Sequence, residues 1–325
     1  MRLEALLPQT MRCDAADADV EITGLTADSR TVAPGYLFAA LPGEHADGNR
    51  FVAQAVAQGA AAVLTAQPDA ALSVPVLYNE NPRRALAELA GRFFAFRPEC
   101  TVGITGTNGK TSTTEFLRQL WQRATWQAIA VGTLGITGTD MIKSDGALLS
   151  LPPLTTPDSI SLHATLAPLT KAGVTHLALE ASSHGLEQHR LDGLNIHIAA
   201  FTNLSRDHLD HHIDMDRYFA AKHRLFTDLL SEGGAAIINL DDQYSAAIID
   251  SLQDRHIVIK TFGYAEDADF RILSITPSGD GLDMKVIYQD QTWDIPLALS
   301  GTFQATNALT AAIMAHLGGL PLHDS

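Results

Sequence analysis

The 325-residue sequence contains little cysteine, an excess of acidic over basic residues and no long apolar run. Its two cysteines, Cys13 and Cys100, are too few for a disulfide framework or a cysteine-rich zinc module, and they favour a reducing compartment. The net charge of −15 disfavours a general nucleic-acid or membrane-surface binder, because a polyanion would be repelled. Hydrophobic residues make up 46% of the chain and charged residues 18%, which excludes wholesale disorder.

The N-terminus and the apolar segments show no targeting pattern. The opening run MRLEALLPQT lacks the basic stretch and sustained apolar region of a signal peptide. The most apolar long stretch, residues 52–66, contains two glutamines and is too short and polar to span a bilayer. We therefore expect a cytoplasmic protein, and the chain length is typical of two domains.

A change of pattern near residues 96–100 predicts the boundary between these domains. Residues 1–98 mix short strand-like runs with turn residues and end in an amphipathic helix, which Asn81 caps and Pro82 begins. From residue 99 onward, short apolar strands alternate with helices, one of them predicted over residues 217–230, which indicates a mostly parallel sheet covered on both faces. Residues 267–299 alternate in polarity, which predicts an antiparallel addition at a sheet edge.

The predicted fold class is therefore α/β. A small mixed α/β N-terminal domain, residues 1–98, precedes a P-loop-type central domain, residues 99–325, with a mostly parallel sheet.

The strongest local signal is the run GTNGKTS at residues 106–112, which follows an apolar strand and opens a helix. Such a turn points backbone N–H groups and a helix N-terminus at an anion. Lys110 would reach the terminal phosphates, and Thr111 or Ser112 would offer a hydroxyl to Mg²⁺. The match to the Walker A pattern is imperfect, because Ile104 stands where the first glycine should be. The run still favours a nucleotide-phosphate loop over an ordinary glycine-rich turn.

Two further segments place polar side chains after apolar strands. Glu180 ends the strand HLALE, and the carboxyl ends of parallel strands are where open α/β sheets bind ligands. Its carboxylate suits Mg²⁺, although a solvent-facing acid is the alternative. The run DHLDHH at residues 207–212 lacks the spacing and the cysteines of a tetrahedral zinc site. It fits either a solvated loop or one histidine that contacts magnesium or nucleotide.

Lys222 lies on the apolar face of its predicted helix, three or four residues from Tyr218, Phe219, Leu225 and Phe226. A lysine in such a position usually extends its amine to the edge of the apolar surface. The alternative is a desolvated amine that is able to react. Position alone leaves both interpretations open.

Taken in order along the chain, these runs resemble the Mur ligases of peptidoglycan synthesis. The resemblance starts with TADSR at residues 26–30, PGYLF at 34–38 and Asp47-Gly48, which are similar to the family's uridine-binding domain. GTNGKTS is similar to its ATP loop. LTTPD at 154–158, EASSHGLEQHR at 180–190 and FTNLSRDHLDHH at 201–212 are similar to the type that adds the third peptide residue.

The resemblance implies a role for each matching residue. For the uridine part of UDP-N-acetylmuramoyl-L-alanyl-D-glutamate it implies Ser29 with the loop Glu44, His45 and Ala46. For the muramoyl dipeptide it implies Thr155, Thr156, Ser182, Gln188 and Arg190. For ATP it implies Gly106, Thr107, Asn108, Gly109, Lys110, Thr111, Ser112 and Asn307. For magnesium it implies Thr111, Glu180, His208 and a Lys222 that CO₂ has carbamylated, and the catalytic set is Lys110, Glu180, His208 and Lys222.

The implied reaction is ATP-dependent amide formation, with meso-diaminopimelate or L-lysine as the incoming amine. The D-Glu carboxylate takes the γ-phosphoryl group of ATP, and the amine then displaces phosphate from the acyl phosphate. The family expectation for the oligomeric state is a monomer.

The family also has a C-terminal domain that carries an Asp-Asn-Pro-Arg motif for the added amino acid. Glu80-Asn81-Pro82-Arg83 is similar to this motif but falls in the N-terminal domain, where it begins a helix. We therefore expect this chain to lack that third domain and to bind its substrates without ligating them efficiently. A folylpolyglutamate-type or alanyl-alanine-adding ligase is one alternative, and a nucleotide-dependent switch or binding module is another.

Overall fold

The computed structural model describes residues 1–8, 11–43, 47–67, 72–95, 98–141, 151, 154–206 and 212–324. The chain divides into two compact units. The first consists of residues 1–96 together with two later segments, 158–167 and 188–194, and the second contains the rest. The sequence boundary placed both later segments in the central domain, because a division drawn along the chain cannot reveal a segment that returns to an earlier unit.

The first unit is built on a small parallel sheet. Its described strands are β1 (Gly24–Thr26), β2 (Tyr36–Ala40), β3 (Ala62–Thr65) and β4 (Val76–Tyr78), which pair in that order. Its helices are α1 (Leu3–Leu6), α2 (Val52–Ala57) and α3 (Pro82–Phe94), with 3₁₀ turns at Ser29–Thr31 and Gly48–Phe51. Leucines from the first helix, the sheet and the third helix form the core: Leu3, Leu6, Leu37, Leu64 and Leu89, all with no exposed surface.

Helix α3 begins as the sequence predicts. The Asn81 side chain accepts a hydrogen bond from the Arg84 backbone N–H, and Pro82 occupies the first turn, where its missing N–H costs nothing. Gly91 on this helix lies so close to Gly193 that a Cβ at position 91 would come within 2.4 Å of the Gly193 carbonyl oxygen. This contact therefore requires glycine and joins the returning segment 188–194 to the helix.

The second unit contains a ten-stranded sheet within the described residues. Its strands are β5 (Cys100–Thr105), β6 (Ala128–Gly132), β7 (Gly135–Thr137), β8 (His176–Glu180), β9 (Ile196–Phe201), β10 (Leu230–Asn239), β11 (Val258–Gly263), β12 (Phe270–Ser278), β13 (Gly281–Tyr288) and β14 (Gln291–Leu297). The accompanying helices are α4 (Lys110–Arg123), α5 (Ser159–Lys171, whose first turns belong to the first unit), α6 (Ser183–Glu187), α7 (Met215–Arg224), α8 (Ser245–Leu252) and α9 (Thr302–Leu317). Short 3₁₀ turns lie at Thr139–Met141 and Leu322–Asp324.

The strand order is β14-β13-β12-β11-β10-β9-β5-β8-β6-β7. Neighbours from β6 through β12 run parallel, whereas β12–β13, β13–β14 and β6–β7 are antiparallel. The predicted antiparallel addition at one edge is thus confirmed, and β7 caps the other edge. Ile104 on β5 lies level with Glu180 on β8 and Ala200 on β9, so these three strands end together.

One helix differs from the sequence prediction. The α-helical geometry predicted over residues 217–230 ends at Arg224, and Leu225–Leu229 form a π-helical turn. The wider turn keeps Leu225, Phe226 and Leu229 buried while the chain passes directly into β10. A strict 3.6-residue repeat could not reveal it, because π turns are single local insertions. Within the described ranges, every helix falls short of the length and apolarity that a bilayer crossing requires.

Candidate functional site

The glycine-rich loop leaves β5 at the edge where β5, β8 and β9 end. Gly106 has φ 150°, and a Cβ there would lie 2.0 Å from the Thr202 hydroxyl oxygen. Gly109 has φ 87° and caps helix α4, and a Cβ there would lie 2.4 Å from the Asn307 amide oxygen. The two glycines are required by close approach as well as by backbone angle. The loop therefore presents main chain, with no side-chain bulk, at a helix N-terminus.

Residues that follow β9 hold this loop in place. The Thr107 backbone N–H donates to the Asn203 carbonyl at 2.8 Å, and the Asn108 N–H donates to the Asn203 side-chain oxygen at 3.0 Å. The Thr202 hydroxyl donates to the Asn108 carbonyl at 2.7 Å. These bonds fix the loop before any ligand arrives, which is the preorganisation that phosphate binding needs.

Lys110, the first residue of α4, folds back over the loop. Its Nζ donates to the carbonyls of Gly106 and Thr107 at 2.9 and 2.8 Å. The amine thus lies at the opening of the glycine turn. A terminal phosphate bound there would become a further partner of this amine, beside the two carbonyls. Ser112 lies in the same first turn of α4.

Glu180 is 2% exposed and is held by three donors. Thr111 Oγ1 donates to Oε2 at 2.9 Å, the Thr133 N–H donates to Oε1 at 2.8 Å, and Thr133 Oγ1 donates to Oε2 at 3.2 Å. The solvent-facing alternative for this acid is therefore wrong. Sequence reasoning missed Thr133, and only its place directly after the apolar strand β6 could have suggested it.

Three of the predicted dipeptide-binding residues lie beside this carboxylate. Thr156 Oγ1 donates to the Glu180 backbone carbonyl at 2.8 Å and lies 2.9 Å from Ser182 Oγ. Thr155 Oγ1 lies 3.2 Å from Thr133 Oγ1. The second unit thus brings the phosphate loop, Glu180 and a row of hydroxyl groups to one edge of the sheet.

Lys222 is buried, with 1% of its surface exposed. Its Nζ donates to the Gly106 carbonyl at 2.8 Å and lies 4.5 Å from the centre of the Tyr218 ring. The interpretation in which this amine extends to solvent is therefore wrong. The lysine contacts the same carbonyl as Lys110, from the interior side of the loop.

Two predicted residues of the first unit line a cavity of about 410 Å³. Gln188 and Arg190 contribute to it, and Arg190 Nη2 donates to the Gln188 side-chain oxygen at 2.8 Å. Burial lowers the pKa of the Arg190 guanidinium, which Asp158 partly counteracts and Arg83 reinforces. Ser29 is buried in the turn after Asp28, which itself lines the cavity.

Some predicted residues lie outside the described ranges: the uridine loop Glu44, His45 and Ala46, and the magnesium ligand His208. His212 is described, and its Nε2 lies 2.9 Å from Ser183 Oγ in the interior.

The oxygen-rich edge fits a nucleotide with Mg²⁺. Among the described residues no three His, Cys, Asp or Glu side chains gather as a metal-binding group. Mg²⁺ is usually held by one or two carboxylates together with substrate phosphates and water, so Glu180, Thr111 and a nucleotide are a suitable donor set.

A larger cavity of about 740 Å³ lies between α4, α9 and strands β12–β14 and contains none of the predicted site residues. Its lining is mostly apolar, whereas the polar groups described above gather at the carboxyl ends of the strands.

Sequence profiles identify the family. A profile described as the Mur ligase middle domain matches residues 104–315, and one described as the catalytic domain of the Mur ligase family matches residues 21–94. The chain belongs to the Mur ligase family. The two matches fall on the phosphate-loop unit and on the small parallel sheet, respectively.

Similar Mur ligases carry one specific name. A protein of Bradyrhizobium diazoefficiens, 41% identical over 318 residues, is named UDP-N-acetylmuramoyl-L-alanyl-D-glutamate–2,6-diaminopimelate ligase, as is one of Brucella melitensis, 44% identical over 306 residues. The matches cover 97% and 93% of this chain but 64% and 61% of those proteins.

A solved structure with that name superposes with a TM-score of 0.85 at 30% identity, covering all of this chain and 65% of the other. This Mur ligase chain therefore spans less than two thirds of the length of the relatives it matches. The α/β architecture, with a mostly parallel sheet and an antiparallel addition, is confirmed as that of the family.

Proposed function

We propose that this Mur ligase chain carries the uridine-nucleotide and ATP sites of an amide-forming ligase of peptidoglycan precursor synthesis. The ligase would join meso-diaminopimelate, or alternatively L-lysine, to UDP-N-acetylmuramoyl-L-alanyl-D-glutamate. The names of the similar proteins favour diaminopimelate. Residues 1–98 would bind the uridine nucleotide and residues 99–325 would bind ATP, in a cytoplasmic monomer that has no nucleic-acid partner and is not inserted in a membrane.

One observation carries the proposal. The Thr111 hydroxyl, which follows Lys110 in the phosphate loop, donates to a buried carboxylate at the end of the neighbouring strand, Glu180. A loop for phosphates and a carboxylate for Mg²⁺ in direct contact are the pair of elements that phosphoryl transfer from ATP needs. The hydroxyl row of Thr155, Thr156 and Ser182 continues from that carboxylate.

The chemistry assigns a task to each group. The γ-phosphorus of ATP is attacked by a D-Glu carboxylate oxygen, which forms the acyl phosphate as the bond to the ADP oxygen breaks. The amine of the diamino acid then attacks the acyl carbon, loses a proton and expels phosphate to leave the amide. Lys110 would offset charge on the transferring phosphoryl group, and Thr111 and Glu180 would hold Mg²⁺. Mg²⁺ supplies further charge neutralisation at the phosphate oxygens.

Lys222 would act as a carbamate. Reaction of its neutral amine with CO₂ forms a nitrogen–carbon bond and releases a proton, leaving an anionic oxygen ligand. The buried position beside the Gly106 carbonyl supports this, because an apolar interior penalises a bare charged amine. A carbamate nitrogen would keep one N–H for that carbonyl.

Carbamylation can be tested by ¹³C NMR after equilibration with ¹³C-bicarbonate. We expect a carbamate resonance in the wild type that Lys222→Met removes and Lys110→Met leaves in place, since both lysines contact the same carbonyl but only Lys222 is fully buried. A resonance that survives Lys222→Met would contradict the assignment.

The function itself is tested by calorimetric titration of the chain with UDP-N-acetylmuramoyl-L-alanyl-D-glutamate, with the compound that lacks D-Glu, and with a folate. We expect the complete nucleotide to bind tightest and Arg190→Ala to weaken it by about tenfold or more. A preference for folate, or no binding of any of the three, would overturn the proposal.

A further inference from the structure

The four residues that directly follow strand β9, 202–205, support the phosphate loop, and we call them the β9 segment. Asn203 holds the loop through both its carbonyl and its side-chain oxygen. At the other end of the segment, the Ser205 N–H donates to Thr107 Oγ1 at 3.0 Å, and that hydroxyl donates to the Ser205 carbonyl at 3.2 Å. The two contacts lie on either side of Leu204, so a group that fixes the Leu204 backbone steadies both.

The group that fixes this backbone is the side chain of Asp242. It follows β10, which pairs with β9 on the side away from β5. Asp242 Oδ2 accepts from the Leu204 N–H at 2.6 Å, and Oδ1 accepts from the Tyr244 N–H at 2.9 Å. The carboxylate therefore connects the middle of the β9 segment to the turn that precedes α8.

A second residue at the end of β10 holds the start of the same segment. Asn239, the last residue of the strand, donates from Nδ2 to the Thr202 carbonyl at 2.8 Å. Its Oδ1 accepts from the Asp241 N–H at 3.0 Å. The end of β10 thus contacts both the first and the third residue of the β9 segment.

The neighbouring aspartate has the same charge but holds the opposite side. Asp241 accepts from the Tyr264 N–H at 2.9 and 3.0 Å and from the Ala265 N–H at 3.3 Å. Both donors follow β11, the other neighbour of β10 in the sheet. Asp241 and Asp242 therefore form a matched pair, in which Asp242 contacts the segment that supports the phosphate loop.

The position of Asp242 has a physical consequence for ligand binding. Backbone N–H groups beyond the end of a parallel strand need partners outside the sheet ladder, and a charged acceptor makes a stronger hydrogen bond than a neutral one. A loop whose support is fixed before the ligand arrives loses less conformational entropy on binding. The carboxylate should therefore favour phosphate binding from a distance, through the backbone of the β9 segment.

We propose that Asp242 is a positioning residue for the phosphate loop and acts through the β9 segment. The inference rests on the proposed function, in which this loop binds ATP, and it adds a residue that the family resemblance does not supply. Charge alone predicts the opposite effect, because a carboxylate near a polyphosphate repels it. Removal of Asp242 should therefore weaken the binding of phosphates if it positions the loop and strengthen it if only its charge matters.

The test compares Asp242→Ala, Asp242→Asn and the control Asp241→Ala with the wild type. Calorimetry measures the affinities for ADP and for inorganic tripolyphosphate, each in Mg²⁺ and in EDTA, and ligand-observed NMR measures that for adenosine. We expect Asp242→Ala to weaken ADP and tripolyphosphate by about tenfold or more in both media and to leave adenosine unchanged. Asp242→Asn should recover part of the loss, since its side-chain oxygen still accepts one N–H. Asp241→Ala should match the wild type.

Hydrogen exchange of the ligand-free proteins reports the positioning directly. Mass spectrometry of peptides that cover residues 103–112 and 201–206 should show exchange about tenfold faster in Asp242→Ala than in the wild type. The same peptides should be unaffected in Asp241→Ala. Asp242→Asn keeps the side-chain volume and supplies the same comparison if the alanine variant does not fold.

Four results would overturn the inference. They are an unchanged or higher affinity of Asp242→Ala for ADP and tripolyphosphate, a loss confined to the Mg²⁺ medium, an equal loss for adenosine, and an equal loss in Asp241→Ala. The second would indicate a metal contact, the third a nucleoside contact and the fourth a general support of the strand end. A wild type that binds neither ADP nor tripolyphosphate would instead refute the proposed function, so the two failures are distinguishable.

Discussion

The parallel strands of the second unit bury titratable groups differently at their amino ends (the amino edge of the sheet) and at their carboxyl ends (the carboxyl edge). At the carboxyl edge, Glu180 and Lys222 are buried against donors, carbonyls and an aromatic ring. At the amino edge, burial raises the pKa of the Cys100 thiol to about 12 and lowers that of the His176 imidazole to about 4. His176 and Glu180 are the two ends of one strand, β8.

The difference lies in the partners and not in the degree of burial. His176 stacks on Trp126, with ring centres 4.4 Å apart, and lies 4.9 Å from Trp121, so its surroundings favour the neutral ring. Glu180 instead accepts hydrogen bonds from three oriented polar donors. Burial alone therefore does not distinguish a candidate functional group; the number and orientation of its polar partners do.

The largest effect should come from adding one methyl group at the carboxyl edge. Gly106→Ala would place a Cβ 2.0 Å from Thr202 Oγ1, so we expect the unfolding free energy to fall by about 2–4 kcal/mol and ADP binding to be lost. Urea unfolding and calorimetry measure both quantities. Gly173→Ala, at the amino edge, is the control: φ is 97° there, but no atom lies within 4 Å of the added Cβ. It should cost about 1 kcal/mol and leave binding intact; equal losses from both variants would break the comparison.

A charge substitution at the same edge should affect ligand binding more than stability. Glu180→Gln keeps the shape but replaces one acceptor oxygen by a donor group facing the hydroxyls of Thr111 and Thr133. We expect Mg²⁺-dependent nucleotide binding to weaken by more than about tenfold, with a stability loss of about 1–2 kcal/mol. Glu99→Gln removes an exposed carboxylate just before β5 at the amino edge and should change neither value. Mg²⁺ dependence that survives Glu180→Gln would argue against a metal role for this carboxylate.

Removal of the buried amine should have a smaller effect on folding. Lys222→Met keeps the volume and removes a group whose burial is costly, while Lys110 still donates to the Gly106 carbonyl. The unfolding free energy should therefore change by less than about 1 kcal/mol in urea titrations. A loss of several kcal/mol would mean that the amine stabilises the loop, and a purely functional role would then be excluded.

The last effect belongs to the amino edge and is absent at neutral pH, where it is therefore the smallest of the four. The unfolded chain binds a proton at His176 near the ordinary pKa of 6.5, whereas the folded chain resists it until about 4. Stability should therefore fall as the pH drops from about 6.5 towards 4, by at most about 1.4 kcal/mol per pH unit from this group.

His176→Phe should make the acid limb shallower and leave nucleotide binding at neutral pH unchanged. Part of the slope should remain, because burial also lowers the pKa values of His197 and His223. An unaltered slope in thermal unfolding between pH 4 and 6.5 would show that His176 accepts a proton without penalty.

Local features of the fold were predictable from the sequence. The strand–turn–helix at residues 100–123, the Asn81 cap and the alternation in residues 267–299 each depend on neighbours a few residues apart, and all three are confirmed. The contact between Thr133 and Glu180 spans 47 residues and rests on strand order, which no local pattern encodes.

For the candidate site, the sequence predicts a set of residues but not the geometry that they adopt. The sequence could not decide whether Lys222 extends to solvent. Helical spacing shows on which face of the helix a side chain lies but not how deeply that face is buried. The π turn at Leu225–Leu229 was likewise not predictable from the sequence, since it depends on how the chain passes into β10 and not on the helix that precedes it.

The segments 158–167 and 188–194, which complete the first unit, also determine when that unit can finish folding. During synthesis, domains generally fold as they emerge, yet the Gly91–Gly193 contact and the Asn81–His189 bond form only after residue 193 has left the ribosome. By then the whole of β5 to β8 has been made. The small N-terminal sheet should therefore form early and remain incompletely packed, and its consolidation should coincide with pairing of β5 with β8 and not precede it.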